Sequence, residues 1–155
     1  FEIAAIIDGY SRKIVGLRAY RGSPRTHEVL TLIDGSVRDN ACPRFIITDR
    51  GGQFQKAFHS ALIQRDIKHA RSPPRVWQFN AKVERLFWSL KRWWRVSLIP
   101  PNLGSIQKRL DAYAVWHNRY RPHASQLDIR KKVNSNQASQ SSDSTLAMIL
   151  DCSIR

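Results

Sequence analysis

Phe45-Ile46-Ile47-Thr48-Asp49-Arg50-Gly51-Gly52-Gln53-Phe54 joins an apolar run to an acid and a pair of glycines. The stretch reads as a strand, 44–48, that closes on Asp49 at a tight turn. Further on, Glu84 lies inside Asn80-Ala81-Lys82-Val83-Glu84-Arg85. Two carboxylates brought within several ångström repel strongly in a partly dry site, and they stay ionised mainly when a divalent cation sits between them. In a chain with little need of exposed paired acids, Asp49 and Glu84 point to metal-assisted phosphoryl transfer on nucleic acid. The plainer roles are an Asp49 that starts the glycine turn or caps the next helix, and a solvated Glu84 paired with Lys91 or Arg85.

On the N-terminal side of this strand, residues 1–8 and 12–20 are rich in β-branched and apolar side chains and flank Gly9-Tyr10-Ser11. They predict an antiparallel hairpin with a tight loop. Val29, Leu30, Leu32, Ile33 and Val37 follow at helical spacing, with Thr26 as the cap and an end near Asn40. On the C-terminal side, Phe54, Phe58, Leu62 and Ile63 recur as on a helix, and Ile67-Lys68-His69-Ala70 is a short strand. Pro73-Pro74 makes 71–80 a mobile loop. From Ala81 to about Ser97, one stripe carries Val83, Phe87, Leu90 and Trp94 and the next carries Glu84, Trp88, Lys91 and Arg95. The first stripe packs and the second is free to meet a ligand. Pro100-Pro101-Asn102 ends that helix, and Ile106, Leu110, Tyr113, Ala114 and His117 start another that reaches Arg119; the two predict a helical hairpin against the sheet. The whole is a mixed α/β fold.

The 155 residues suit one domain with one core. A formal net charge of +14 favours a polyanionic partner, with nucleic acid first among them. No run approaches the roughly 18 apolar residues of a spanning helix, so no membrane partner is expected and the location reads as cytoplasmic, in the bacterial cytosol or nucleoid. Cys42 and Cys152 stand far apart without a Cys-x-x-Cys partner, which excludes a zinc knuckle and argues against a disulfide framework. Phe1 opens the chain inside an apolar run, as if a strand were entered midway in a longer protein. Asn134 to Thr145 is almost wholly Ser, Gln, Asn and Asp, so 126–155 is expected to be a polar, disordered or frameshifted tail, and Leu146–Leu150 is too short to make a core of its own.

Four segments together carry a family resemblance: Ile7-Asp8-Gly9-Tyr10-Ser11-Arg12-Lys13-Ile14-Val15-Gly16, Thr48-Asp49-Arg50-Gly51-Gly52-Gln53-Phe54, Asn80–Phe87 with Leu90-Lys91, and Trp116-His117-Asn118-Arg119-Tyr120-Arg121-Pro122-His123. In this order and spacing, residues 1 to about 125 resemble the catalytic core of the DDE-type integrases and insertion-sequence transposases, which are retroviral-integrase-like. The resemblance implies a ribonuclease H-like mixed sheet flanked by helices. It makes Asp49 the second acid of the triad and Glu84 the third, and it sets the first on an opening strand upstream of Phe1, so that strand is expected to be missing. Asp8 then reads as the acid that starts the hairpin turn rather than as a metal ligand. The chain departs from the family in having Ala81 for the more usual Gly, His117 for a common Tyr, and a polar tail after His123.

The resemblance further implies two Mg²⁺ or Mn²⁺ ions roughly 3.5–4 Å apart in a complete site, DNA strand cleavage and strand transfer, element-end and target DNA as partners, and a homo-oligomer in the active assembly. Lys91, two turns after Glu84, is placed to neutralise a phosphate, and Lys82, Arg85, Arg92 and Arg95 extend that charge. From Lys82 to Lys132 twelve basic residues face three acids, a pattern for phosphate contacts that carry little sequence information. Trp88 and Trp77 are candidates for base stacking, whereas Trp94 and Trp116 are expected in the core. His69, His117 and His123 show no ligand spacing and read as structural. Two rival readings are a catalytically inactive DNA-binding remnant of a transposase and a ribonuclease H-like nuclease on RNA–DNA hybrids.

Overall fold

A computed structural model describes residues 1–72, 81–94 and 102–121, and the backbone of 146–153. Strands β1 (Glu2–Asp8) and β2 (Ile14–Tyr20) pair antiparallel. Helix α1 (Thr26–Asp39) follows, then β3 (Phe45–Thr48), a single 3₁₀ turn (Gly52–Phe54), α2 (Lys56–Ile63), β4 (Lys68–Arg71), α3 (Ala81–Trp94), α4 (Leu103–Arg119) and β5 (Leu146–Ser153). The five strands form one sheet in the order β2-β1-β5-β3-β4. β5 runs antiparallel to β1 and parallel to β3, so the sheet is mixed.

The sheet is covered on both faces. Ile3, Ala5 and Ile7 of β1 and Ile47 of β3 share a cluster with Val83, Leu86, Phe87 and Leu90 of α3 and with Ile106, Leu110 and Tyr113 of α4. The alternate residues Ile6 and Ile46 pack with Val29 and Ile33 of α1, Phe58 and Leu62 of α2, Phe54 and Ile67. This follows from the strand period of two. It also explains why β1 is an unbroken apolar run, since every residue from Ile3 to Ile7 is buried. α1 can lie close because β2 has Gly16 beneath it; a Cβ there would come 2.6 Å from Ser36 Oγ. α3 and α4 do pack together as a pair, with Tyr113 OH donating to Ser89 Oγ at 3.0 Å.

Most expected elements fall within a residue or two of their predicted limits, and the differences have local causes. The hairpin loop is longer than a tight turn: Asp8 N donates to Lys13 O at 2.9 Å, Arg12 N donates to Asp8 O at 2.9 Å, and Arg12 sits at φ 64°. The residue preceding α1 is Arg25 rather than Thr26. Its N–H is taken by Glu28 Oε2 at 2.7 Å, while the Thr26 hydroxyl donates to Gln53 O at 2.9 Å. Asn102 caps α4, accepting from Ser105 N at 2.8 Å. Trp94 is in the core as expected, but Trp116 is 40% exposed, its ring tilted at 40° against that of Tyr113 with centroids 5.7 Å apart.

The largest difference is at the C-terminal end. Leu146–Ser153, read from the sequence as part of a polar tail, forms β5 at the centre of the sheet. The core boundary expected at residue 125 therefore does not coincide with the end of the fold. Five apolar residues are too few for a separate core, but they suit a strand placed between two others, which needs apolar character on both faces. Of the expected mobile loop, 71–80, Arg71 instead closes β4; its remainder from residue 73, and residues 126–145 of the expected tail, lie outside the described residues.

At the β2 rim, two side-chain amides of α4 take the part of a missing strand. Asn118 Oδ1 accepts from Ile14 N and its Nδ2 donates to Ile14 O, each at 2.8 Å. Gln107 Oε1 accepts from Ala19 N and its Nε2 donates to Leu17 O, each at 3.0 Å. Replacing Asn118 with Ala strands both polar groups of Ile14, itself only 6% exposed. We expect a loss of about 1–3 kcal/mol in urea unfolding, and a change within experimental error would show that these bonds contribute nothing.

Candidate functional site

Asp49 stands at the C-terminal end of β3, one residue past Thr48. Its Oδ1 accepts from Gly51 N at 2.8 Å, the turn-forming bond that an Asx residue makes before glycine. The Thr48 hydroxyl donates to Asp49 O at 3.0 Å and so fixes the backbone on the other side. The side chain is half-buried, and this burial pushes its pKa up against the opposing pull of the Gly51 N–H. An acid held in this way is ionised only at a cost, which a cation beside it would relieve.

Glu84 lies in the first turn of α3 and is exposed. Its neighbour Val83 and the β3 residue Ile47 belong to one buried cluster. Thus α3 is seated on the face of the sheet to which Ile47 points, two residues before Asp49. The two acids are a donor set in kind for Mg²⁺ or Mn²⁺, since hard cations take carboxylate oxygens. In number they fall short of a full site, for no group of three or more His, Cys, Asp or Glu among the described residues could hold a metal ion. Asp8 is engaged in its turn, as expected of a turn-starting acid: it accepts from Ser11 N at 2.8 Å, from the Ser11 hydroxyl and from Tyr10 N at 3.4 Å.

The outward stripe of α3 carries Glu84, Arg85, Trp88, Lys91 and Arg92, all exposed. Trp88 is 62% exposed, and the Arg92 guanidinium lies 5.5 Å from its ring centroid, a cation–π pair. Lys82 is placed differently from the other cations. Its ammonium donates to Gly9 O at 2.7 Å, and burial followed by repulsion from Arg12 lowers its pKa, with Asp8 pulling the other way. Lys82 therefore clamps the hairpin loop to α3. Arg95, Trp77 and His123 lie outside the described residues.

The hydrogen-bond chain behind Asp49 was not legible in the sequence. Thr48 Oγ1 meets His69 Nε2 at 2.9 Å, and His69 Nδ1 meets His59 Nδ1 at 3.3 Å. His69 and His59 are ten residues apart on different elements, and only the strand–helix geometry joins them. His117 is structural, as expected: it is 4% exposed and its Nε2 donates to Arg12 O at 3.2 Å.

Compared with known proteins, residues 65–127 match the family model described as integrase core domain. The matched segment includes β4, α3 with Glu84 and Lys91, and α4; Asp49 lies before it. No curated protein matches the chain. Among the described residues no helix is long and apolar enough to cross a membrane.

Proposed function

We propose that the chain, whose residues 65–127 match the integrase core domain model, cuts and joins DNA strands, with Asp49 and Glu84 as its metal-holding acids. The observation that carries the reading is that α3 covers the face of the sheet to which Ile47 points: Val83 and Ile47 belong to one core cluster, Val83 next to Glu84 and Ile47 two residues before Asp49 in sequence. A bound Mg²⁺ or Mn²⁺ would supply Lewis-acid activation of water or of a 3′-hydroxyl.

The chain's own residues do the rest. The Gly51 N–H and the Thr48 hydroxyl hold Asp49 in place from both sides. Arg85, Lys91 and Arg92 meet phosphates along the exposed stripe, where each neutralised phosphate releases counterions. Trp88 offers a face for an unpaired base, a contact that contributes about 1–3 kcal/mol. Lys82 serves this surface at one remove, by fixing the hairpin loop to the helix.

Two measurements on the full chain test the proposal. Affinity for a duplex should fall steeply with salt, and Lys91→Ala should reduce the slope of log K against log [salt] by about 0.9; a salt-independent affinity contradicts the basic stripe. Nicking or joining of element-end DNA in Mn²⁺ should be lost in Glu84→Gln. The second reading, an inactive DNA-binding remnant, draws on the lack, among the described residues, of any group of three or more side chains able to hold a metal ion. It is favoured if binding shows the expected salt slope but no strand is cut.

A further inference from the structure

On the α2 side of the sheet, two imidazoles meet nitrogen to nitrogen. His59 projects from α2 and His69 from β4, with ring centroids 5.5 Å apart at 44° and Nδ1 atoms 3.3 Å apart. The roles of the His69 nitrogens follow from the bonds around them. The Thr48 hydroxyl has one proton and gives it to Asp49 O, so at His69 Nε2 it can only accept; Nε2 therefore carries the ring proton. Burial, with His59 and Arg71 adding to it, lowers the His69 pKa to about 4, so the ring is neutral near pH 7 and its Nδ1 presents a lone pair to His59.

Two nitrogens on one tetrahedral Zn²⁺, at about 2.0–2.1 Å from the metal, stand about 3.3 Å from each other. His69 also has the supporting contact usual for a metal-binding imidazole, whose second nitrogen donates to a fixed oxygen and so sets the ring. Phe58 holds the same ring edge-on at 5.1 Å. We propose that His59 and His69 form a two-imidazole site for a borderline divalent cation of the Zn²⁺ class, separate in ligand type and in residues from the Asp49–Glu84 pair. Imidazole nitrogens select such ions over Mg²⁺.

The rim of the depression sets the rest of the coordination. Lys56, His59, His69 and Arg71 line a space of ≈ 350 Å³, and His59, Ile63, Asp66, Ile67, Lys68 and His69 line the adjoining one. Lys56 and Arg71 disfavour a bare cation and favour one that brings an anionic ligand, hydroxide or a phosphate oxygen, into its open positions. Arg71 is partly committed, donating to Phe54 O at 2.7 Å. The site thus takes a metal together with an anion.

The test uses the untagged full chain, titrated calorimetrically with ZnCl₂ in a non-chelating buffer and with MgCl₂ as control. One Zn²⁺ per chain is expected, with no heat from Mg²⁺. His59→Ala, at an exposed position, should weaken Zn²⁺ binding at least about tenfold while leaving the melting temperature in the absence of metal unchanged. Imidazole ¹⁵N spectra of the unaltered chain provide a readout that does not depend on the variant: Zn²⁺ should move the Nδ1 signals of His59 and His69 and leave His69 Nε2 protonated. Unchanged affinity in His59→Ala, no binding at all, or shifts confined to His27 or His117 would overturn the proposal. None of these outcomes depends on whether the chain processes DNA.

Discussion

Removing residues 146–155 will abolish the cooperative unfolding transition of this chain. β5 pairs with β1 over seven positions, Glu2 opposite Ser153 through Asp8 opposite Ala147, and with β3 over four, Phe45 opposite Leu146 through Thr48 opposite Ile149. Within the sheet it is the sole link between the β1–β2 hairpin and the β3–β4 pair. Without it, one side each of β1 and β3 loses its partners, and Ile3 to Ile7 and Ile46 to Thr48 are buried residues. A buried unpaired backbone group costs about 1–3 kcal/mol, and several of these exceed the roughly 5–15 kcal/mol by which a domain is stable. Circular dichroism melting of residues 1–145 beside the full chain is the measurement. A truncated chain that melts cooperatively within a few degrees of the full one would mean that β5 is dispensable.

The second large effect is at Asp49, where activity and stability should move in opposite directions. If Asp49 is a metal-holding acid, Asp49→Asn lowers DNA strand cleavage at least about a thousandfold. For stability, burial raises the carboxyl pKa in the folded chain. The folded state therefore holds this proton to higher pH than the unfolded state does, and the carboxylate weakens the fold as pH rises through and above the ordinary carboxylate range. Asparagine removes the buried charge and keeps an oxygen for the Gly51 N–H. Asp49→Asn should thus melt no lower than the unaltered chain at pH 7, and its stability should vary less with pH in the acid range. Retained cleavage would remove Asp49 from the site, and a marked loss of stability would give it a structural role instead.

Much of this molecule was legible from residue spacing. The buried stripe Val83, Phe87, Leu90 and Trp94 and the exposed stripe Glu84, Trp88 and Lys91 emerge as read, because helical period and burial are tied together over fourteen residues. The end of β3 at Asp49 was marked by its glycines. What escaped reading depends on partners distant in sequence. β5 has an apolar run without alternation, which has no meaning until two strand edges are available to receive it. Arg12 occupies a left-handed conformation that nothing local demands, and His117 of α4 supports its carbonyl from outside the loop. The His59–Nδ1 contact requires α2 and β4 to lie side by side. Lys82, counted with the phosphate-binding cations on charge alone, proves to be tied to Gly9 O.

The amides of Gln107 and Asn118 give the sheet a direction of growth. With Ile14, Leu17 and Ala19 on the β2 margin already bonded to α4, the margin left open among the described residues is that of β4, last in the order. That margin carries Lys68 and Arg71, both exposed. Like charges there oppose the approach of an identical margin from a second molecule. Among the described residues, edge-to-edge growth of this sheet is thus opposed by amides at one end and by charge at the other.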